Sequence, residues 1–226
     1  MLRLGTEVSS SDIVLDFFAG SATTGDAVTR LNAAEGGNRR YILVQMPEPT
    51  GRSDLPTIAA ISKERLRRSG KKIKQDTTTP PGDLGFRVFK LDNSNIRGWE
   101  PNRDNLKKSL LDSLEHIKED RSPDDILYEV LLKLGLDLCV PIEERAIAGK
   151  TVHSIGGGVL MVCLEEEIAR KDVERLALGI AEWHKALAPV GETTCVFRDS
   201  AFADDVAKSN LAAILEQHGL SKVTSL

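Results

Sequence analysis

The run Ser11–Val28, SDIVLDFFAGSATTGDAV, constrains the fold more than any other stretch of the chain. Ile13, Val14 and Leu15 read as a short buried strand that ends at Asp16. A turn through Phe17-Phe18-Ala19-Gly20-Ser21-Ala22 then enters a helix, on which Ala27, Val28 and Leu31 share one face. Gly36-Gly37 end that helix, as C-terminal glycines do. In RRYILVQMPEP the apolar residues Ile42, Leu43 and Val44 are continuous, the pattern of a strand covered on both faces, and Pro47 and Pro49 stop it. TIAAISKERLRRSGKKIK gives a second helix with Ile58, Ile61, Leu66 and Ile73 on its apolar side. GFRVFKL, with Phe86, Val88 and Phe89, gives an expected third strand. Strand, helix, strand, helix, strand in that order favours a parallel sheet with right-handed crossovers.

Beyond NIRGWEP the pattern changes. Leu106, Leu110, Leu111, Leu114 and Ile117 mark an amphipathic helix, and SPDDILYEVLLKLG another, with Ser122 as N-cap and Pro123 in its first position. VPIEERAIAGKTVHSIGGGVLMVCLE reads as two or three strands turning at Ala148-Gly149 and Gly156–Gly158. A long helix over about Lys171–Leu187, the strand TTCVFRD, a last helix ADDVAKSNLAAILEQHG and a short tail complete the chain. A boundary near residue 100 is expected, giving domains 1–99 and 100–226.

The length of 226 residues suits one large domain or two small ones. No run of about 18 apolar residues occurs, and MLRLGTEVSS lacks the apolar core of a signal peptide, so a cytoplasmic protein away from membranes is expected. Cys139, Cys163 and Cys195 are widely spaced in apolar surroundings and are expected to be buried; they offer no zinc-ligand spacing. His116, His153, His184 and His218 are scattered and carry no expected role. Asp199, Asp204 and Asp205 flank a strand-to-helix turn, where capping accounts for them. A net charge of −4 disfavours nucleic-acid binding over the whole surface. SKERLRRSGKKIK, with seven Lys and Arg against one Glu, is a local exception; the expectation there is a solvated helix face, since no aromatics interleave the charges.

The turn after Asp16 is not a dinucleotide fingerprint, because Gly20 is its one glycine, and no lysine follows to make a P-loop. On the residues alone two readings stand. Phe17 and Phe18 belong to the core with Asp16 capping the turn, or the turn approaches a ligand. Phe18-Ala19-Gly20-Ser21-Ala22 resembles the F-x-G-x-G motif of S-adenosylmethionine-dependent amino-methyltransferases acting on DNA, with Ala22 in place of the second glycine. Ala22 is expected to be tolerated through a negative φ at the helix start.

Five separated segments, in order, resemble the modification (Mod) subunit of type III restriction–modification systems: DIVLDFFAGSATTGDAVTRLNAAEGGNRRYILVQMPEP, TIAAISKERLRRSGKKIK, GFRVFKLDNSNIRGW, LYEVLLKLGLDLCVPIEE and FRDSAFADDVAKSNLAAILEQ. The resemblance implies a DNA adenine-N6 methyltransferase. It implies an α/β fold, a partial Rossmann-like methyltransferase sheet of three strands with helices, followed by a smaller α/β assembly domain. The cofactor implied is S-adenosylmethionine, at Asp16, Phe17, Phe18, Ala19, Gly20, Ser21, Thr23, Thr24, Gln45 and Glu48. Asp16 would face the cationic end of the ligand, a phenylalanine the adenine, the helix N-terminus its carboxylate, and Gln45 or Glu48 the ribose. Partners implied are DNA, in the full-length protein, and a restriction subunit; self-association is also expected.

The family's D-P-P-Y catalytic motif and target-recognition region precede this turn, and neither D-P-P-Y nor N-P-P-Y occurs in the 226 residues. Pro80-Pro81 in TTTPPGD lacks the flanking acid and aromatic. An N-terminally truncated Mod polypeptide, a fragment or split gene inactive on its own, is therefore expected. The strand edge left open is expected to be met by another copy or by residues 1–11. The rival reading is a non-catalytic assembly module.

Overall fold

The computed structural model describes residues 5–7, 11–76, 82–97 and 117–226. The chain divides into two compact units, Met1–Phe89 and Lys90–Leu226. The boundary expected near residue 100, most of the helix expected through Leu106–Leu114, and Pro80-Pro81 lie outside the described residues.

In the first unit β1 (Ile13–Asp16) pairs in parallel with β2 (Arg40–Leu43), from Ile13 opposite Arg40 to Asp16 opposite Leu43. Helices α1 (Thr23–Glu35) and α2 (Ile58–Asp76) follow the two strands. Gly25 of α1 lies so close to Leu43, Tyr41 and Leu66 that a methyl group there would sit 2.8 Å from Leu43. That contact marks the covered face of the strand pair, and a side chain there would have to push the Leu43 and Leu66 methyls aside. Val28, Leu66 and Ile73 are buried in this unit.

Alternation puts Ile13, Leu15, Ile42 and Val44 on the opposite face, and each is 51–59% exposed. The continuous apolar run in β2 is thus covered on one face only, against expectation. The expected third strand is also absent among the described residues: residues 83–92 join no ladder, and Val88 and Phe89 are exposed. Alternating side chains define the two faces of a strand but not its neighbour, and here no strand edge receives GFRVFKL. The α/β class holds, with two strands in this sheet instead of three.

The second unit is a five-stranded mixed sheet in the order β3-β4-β5-β6-β7. Its strands are β3 (Ile142–Ile147), β4 (Lys150–Ile155), β5 (Leu160–Cys163), β6 (Thr194–Phe197) and β7 (Lys222–Ser225). β3, β4 and β5 are antiparallel, while β5–β6 and β6–β7 are parallel. Helices α4 (Arg170–Leu187) and α5 (Asp205–Gln217) cover one face around Met161, Cys163, Cys195 and Phe197. Helix α3 (Pro123–Lys133) covers the other around Ile155, Leu160, Val162 and Val196. The expected short tail is instead the edge strand β7.

Local signals set the helix starts. Ser122 and Asp125 form a capping box at α3, with Pro123 in the first turn. Asp204 caps α5 by accepting the Ala207 N–H at 2.8 Å. Cys163 and Cys195 are buried, which pushes their thiols up to about 11 and about 12. Cys139 is exposed, contrary to expectation.

Glu129 ties the segment before the second sheet to α3. Its carboxylate accepts from Ser94 Oγ at 2.5 Å, Asn95 N–H at 2.6 Å and Lys133 at 2.9 Å. Burial favours the neutral acid, but these donors outweigh it and hold the carboxyl down to about 2. The folded-state value lies below the unfolded one near 4.5. The stabilisation is therefore present above about pH 4.5 and fades as pH falls toward about 2. Glu129→Ala is expected to cost about 1.5–3 kcal/mol at pH 7. Urea unfolding at descending pH checks this: the gap between native and variant chains should narrow below about pH 4.5.

Candidate functional site

The site is the turn between β1 and α1, and the end of β2 holds it in place. Val44 N–H donates to Asp16 C=O at 2.9 Å, and Ala19 N–H donates to Val44 C=O at 3.1 Å. The parallel pairing thus continues into the turn. Asp16 then organises it with both oxygens. Oδ1 accepts the Phe18 N–H at 3.1 Å, and Oδ2 accepts the Thr24 hydroxyl at 2.6 Å. One carboxylate fixes both the exit from the strand and the first turn of α1.

Gly20 has φ +51° and Ala22 has φ +63°. These are the two glycine positions of the F-x-G-x-G pattern, and both are left-handed. The motif therefore has a conformational cause: glycine takes this conformation without steric cost. The negative φ expected for Ala22 is not found. An alanine there costs roughly 1–2 kcal/mol in backbone strain, and full burial of its methyl offsets part of that.

The turn is also anchored from β2 and α2. Gly20 N–H donates to Gln45 Oε1 at 2.7 Å, and Gln45 Nε2 donates to Met46 C=O at 3.1 Å. Ser62 Oγ donates to Gly20 C=O at 2.5 Å, and Arg65 donates to Thr23 Oγ1 at 2.9 Å. Sequence reasoning did not single out Ser62 and Arg65. The available signal was a small polar residue, Ser62, on the apolar side of α2.

Asp16, Phe17, Phe18, Ala19, Gly20, Ser21, Thr23, Thr24 and Gln45 thus converge on one turn. Glu48 lies outside this set of contacts: its carbonyl accepts the Ile58 N–H at 2.9 Å at the start of α2, and its side chain is exposed. Phe17 and Phe18 are 63% and 84% exposed, with ring centroids 5.1 Å apart. They are not core residues. No side chain caps the N-terminus of α1, so its first amides and positive dipole end have no side-chain acceptor. Among the described residues no group of His, Cys, Asp and Glu is arranged to hold a metal ion.

The chain matches three curated proteins, all of them Mod subunits of type III restriction–modification enzymes. It is 36% identical over 90 residues to the StyLTI Mod subunit of Salmonella typhimurium strain LT2, covering 37% of this chain and 14% of that protein. It is 32% identical over 157 residues to the EcoP15I Mod subunit of Escherichia coli, covering 66% of this chain and 23% of that one. It is 28% identical over 173 residues to the EcoPI Mod subunit of Escherichia phage P1, covering 72% and 25%. The chain is Mod-like.

The match to the phage Mod subunit is longer than either compact unit, so the Mod likeness runs through both. The Mod-like chain spans a quarter or less of the length of these relatives. No family profile matches it. Among the described residues no helix is long and apolar enough to cross a membrane.

Proposed function

We propose that this chain carries the S-adenosylmethionine loop of a type III Mod protein, a site-specific DNA adenine-N6 methyltransferase. The observation that carries the reading is the paired left-handed conformation at Gly20 and Ala22, fixed by Asp16 from below and Gln45 from the side. Likeness to three Mod subunits supports it.

The residues present fit the cofactor at two ends. The uncapped N-terminus of α1 suits the methionine carboxylate. The open faces of Phe17 and Phe18 suit adenine or the sulfonium, since a cation near an aromatic face is attracted to it. Asp16 holds the turn through both carboxylate oxygens. The Gln45 amide is engaged by Gly20 on one side and by the Met46 carbonyl on the other, so the exposed Glu48 is the better candidate for the ribose hydroxyls. When bound, the cofactor supplies an electrophilic methyl group. Orienting the target amine falls to a D-P-P-Y segment, which this sequence does not contain. In the proposed setting, the cytoplasm, the whole Mod protein engages DNA and a restriction subunit.

The exposed apolar face of β1 and β2 favours a second role, as an assembly module whose bare sheet face meets another chain. The two roles are compatible. Ultraviolet cross-linking with methyl-labelled S-adenosylmethionine tests the first. Label is expected in the tryptic peptide Leu4–Arg30 and should fall away with Phe18→Ala. Label spread over other peptides, or unaffected by the substitution, contradicts the reading.

A further inference from the structure

We propose that the exposed face of α2 is a docking surface for the phosphate backbone of duplex DNA, read without regard to base sequence. The inference deepens the DNA part of the proposed function and does not need the cofactor loop.

The helix carries seven Lys and Arg against Glu64 and Asp76, a formal +5 within a chain whose net charge is −4. Burial divides its faces cleanly. Ser62, Leu66, Ser69, Gly70 and Ile73 turn inward, while Arg67, Arg68, Lys71, Lys72 and Lys74 are exposed. A solvated helix ordinarily balances such charges with acids three or four residues away. Here a single acid, Glu64, serves the row: it pairs with Arg68 at 2.7 Å, and its charge also acts on Arg67 and Lys71. Arg67, Lys71, Lys72 and Lys74 take part in no ion pair among the described residues. Like charges held side by side at helical spacing repel, so the row costs stability that a bound polyanion would recover.

Two features choose the polyanion. None of the large exposed apolar residues lies on this helix. A protein partner would lack the buried aromatic or aliphatic anchor that carries most interfaces, and a membrane surface would lack an apolar face to enter. No aromatic is present for base stacking, which leaves phosphate contact. From Arg67 to Lys74 the helix rises about 10 Å, the axial length of about three phosphates along one strand. The acidic balance of the rest of the chain confines the contact to this face.

The test is fluorescence anisotropy of the full chain with a duplex of about 25 base pairs and arbitrary sequence, from about 50 to about 200 mM salt. The comparison is the triple variant Arg67→Gln, Lys71→Gln, Lys74→Gln, whose side chains lie outside the packed face. Removing three phosphate contacts should flatten the slope of log affinity against log salt by about 2.7 and weaken binding for every duplex sequence alike. Circular dichroism and melting of the variant should match the native chain. An unchanged slope, no measurable binding by the native chain, or equal binding of polyglutamate would overturn the proposal. The same triple variant should keep native behaviour toward S-adenosylhomocysteine. Loss of DNA binding with cofactor binding intact, or the reverse, separates failure of this inference from failure of the cofactor reading.

Discussion

Phe197→Ala is expected to lower the unfolding free energy of the Lys90–Leu226 unit by about 3–5 kcal/mol, from the lost transfer energy of the ring and the cavity it leaves. Phe197 is 2% exposed on β6, which pairs in parallel with β5 on one side and β7 on the other. Its ring meets Phe202 edge-on, with centroids 6.0 Å apart, and joins the layer under α4 and α5. The backbone also closes the chain end here: Leu226 N–H donates to Phe197 C=O at 2.9 Å. A strand paired on both edges cannot move in to fill the space, so relaxation recovers little. Domains are stable by about 5–15 kcal/mol, so the loss is a large fraction of the whole. Urea denaturation with an unchanged slope measures it. A cost under about 1.5 kcal/mol would mean that the site collapses around the missing ring.

Gly25→Val is expected to be the most damaging single change beneath the β1–α1 turn. A Cβ at Gly25 would already meet the terminal methyl of Leu43 at 2.8 Å, closer than real contacts allow, and that of Leu66 at a tight 3.0 Å. Valine adds two more carbons to that space. Helix propensity works the other way, but valine gains only roughly 0.3 kcal/mol over glycine inside a helix. Overpacking costs about 1–3 kcal/mol, occasionally more, and therefore wins. The strain would lift α1 from β2, where Asp16 and Gln45 set the turn between them. The variant should melt earlier and lose the geometry of the β1–α1 turn with it. Melting unchanged from the native chain would mean that Leu43 and Leu66 yield freely.

Much of the fold was legible in the sequence because its signals are local. The Ser122 cap with Pro123 placed α3, the Ala148-Gly149 turn placed the β3–β4 hairpin, and the helices expected over about Lys171–Leu187 and in ADDVAKSNLAAILEQHG are α4 and α5. What was not legible depended on neighbours. GFRVFKL has the alternation of a strand but no edge to pair with. The final β7 has a single strong apolar residue, Val223, and gains its place through pairing with β6. The run Ile42–Val44 is as apolar as a fully covered strand, yet one face of its sheet is bare. Cys139 has apolar sequence neighbours and is exposed, because sequence neighbours need not be packing neighbours.

At the candidate site the sequence placed the turn but not its physics. Gly20 signalled a tight backbone, and Ala22 concealed a second left-handed residue because alanine rarely adopts that conformation. The anchors Ser62 and Arg65 lie about forty residues away on α2, a pairing that only the fold creates.

The most direct test of the cofactor reading is calorimetric titration of the 226-residue chain with S-adenosylhomocysteine, repeated with Asp16→Ala. Asp16 makes two hydrogen bonds that set the turn, each worth about 1.5–3 kcal/mol to a charged acceptor. The native chain is expected to give saturable heat, and the variant to bind at least about tenfold more weakly. Absence of heat from the native chain, or equal binding by both, would contradict the account.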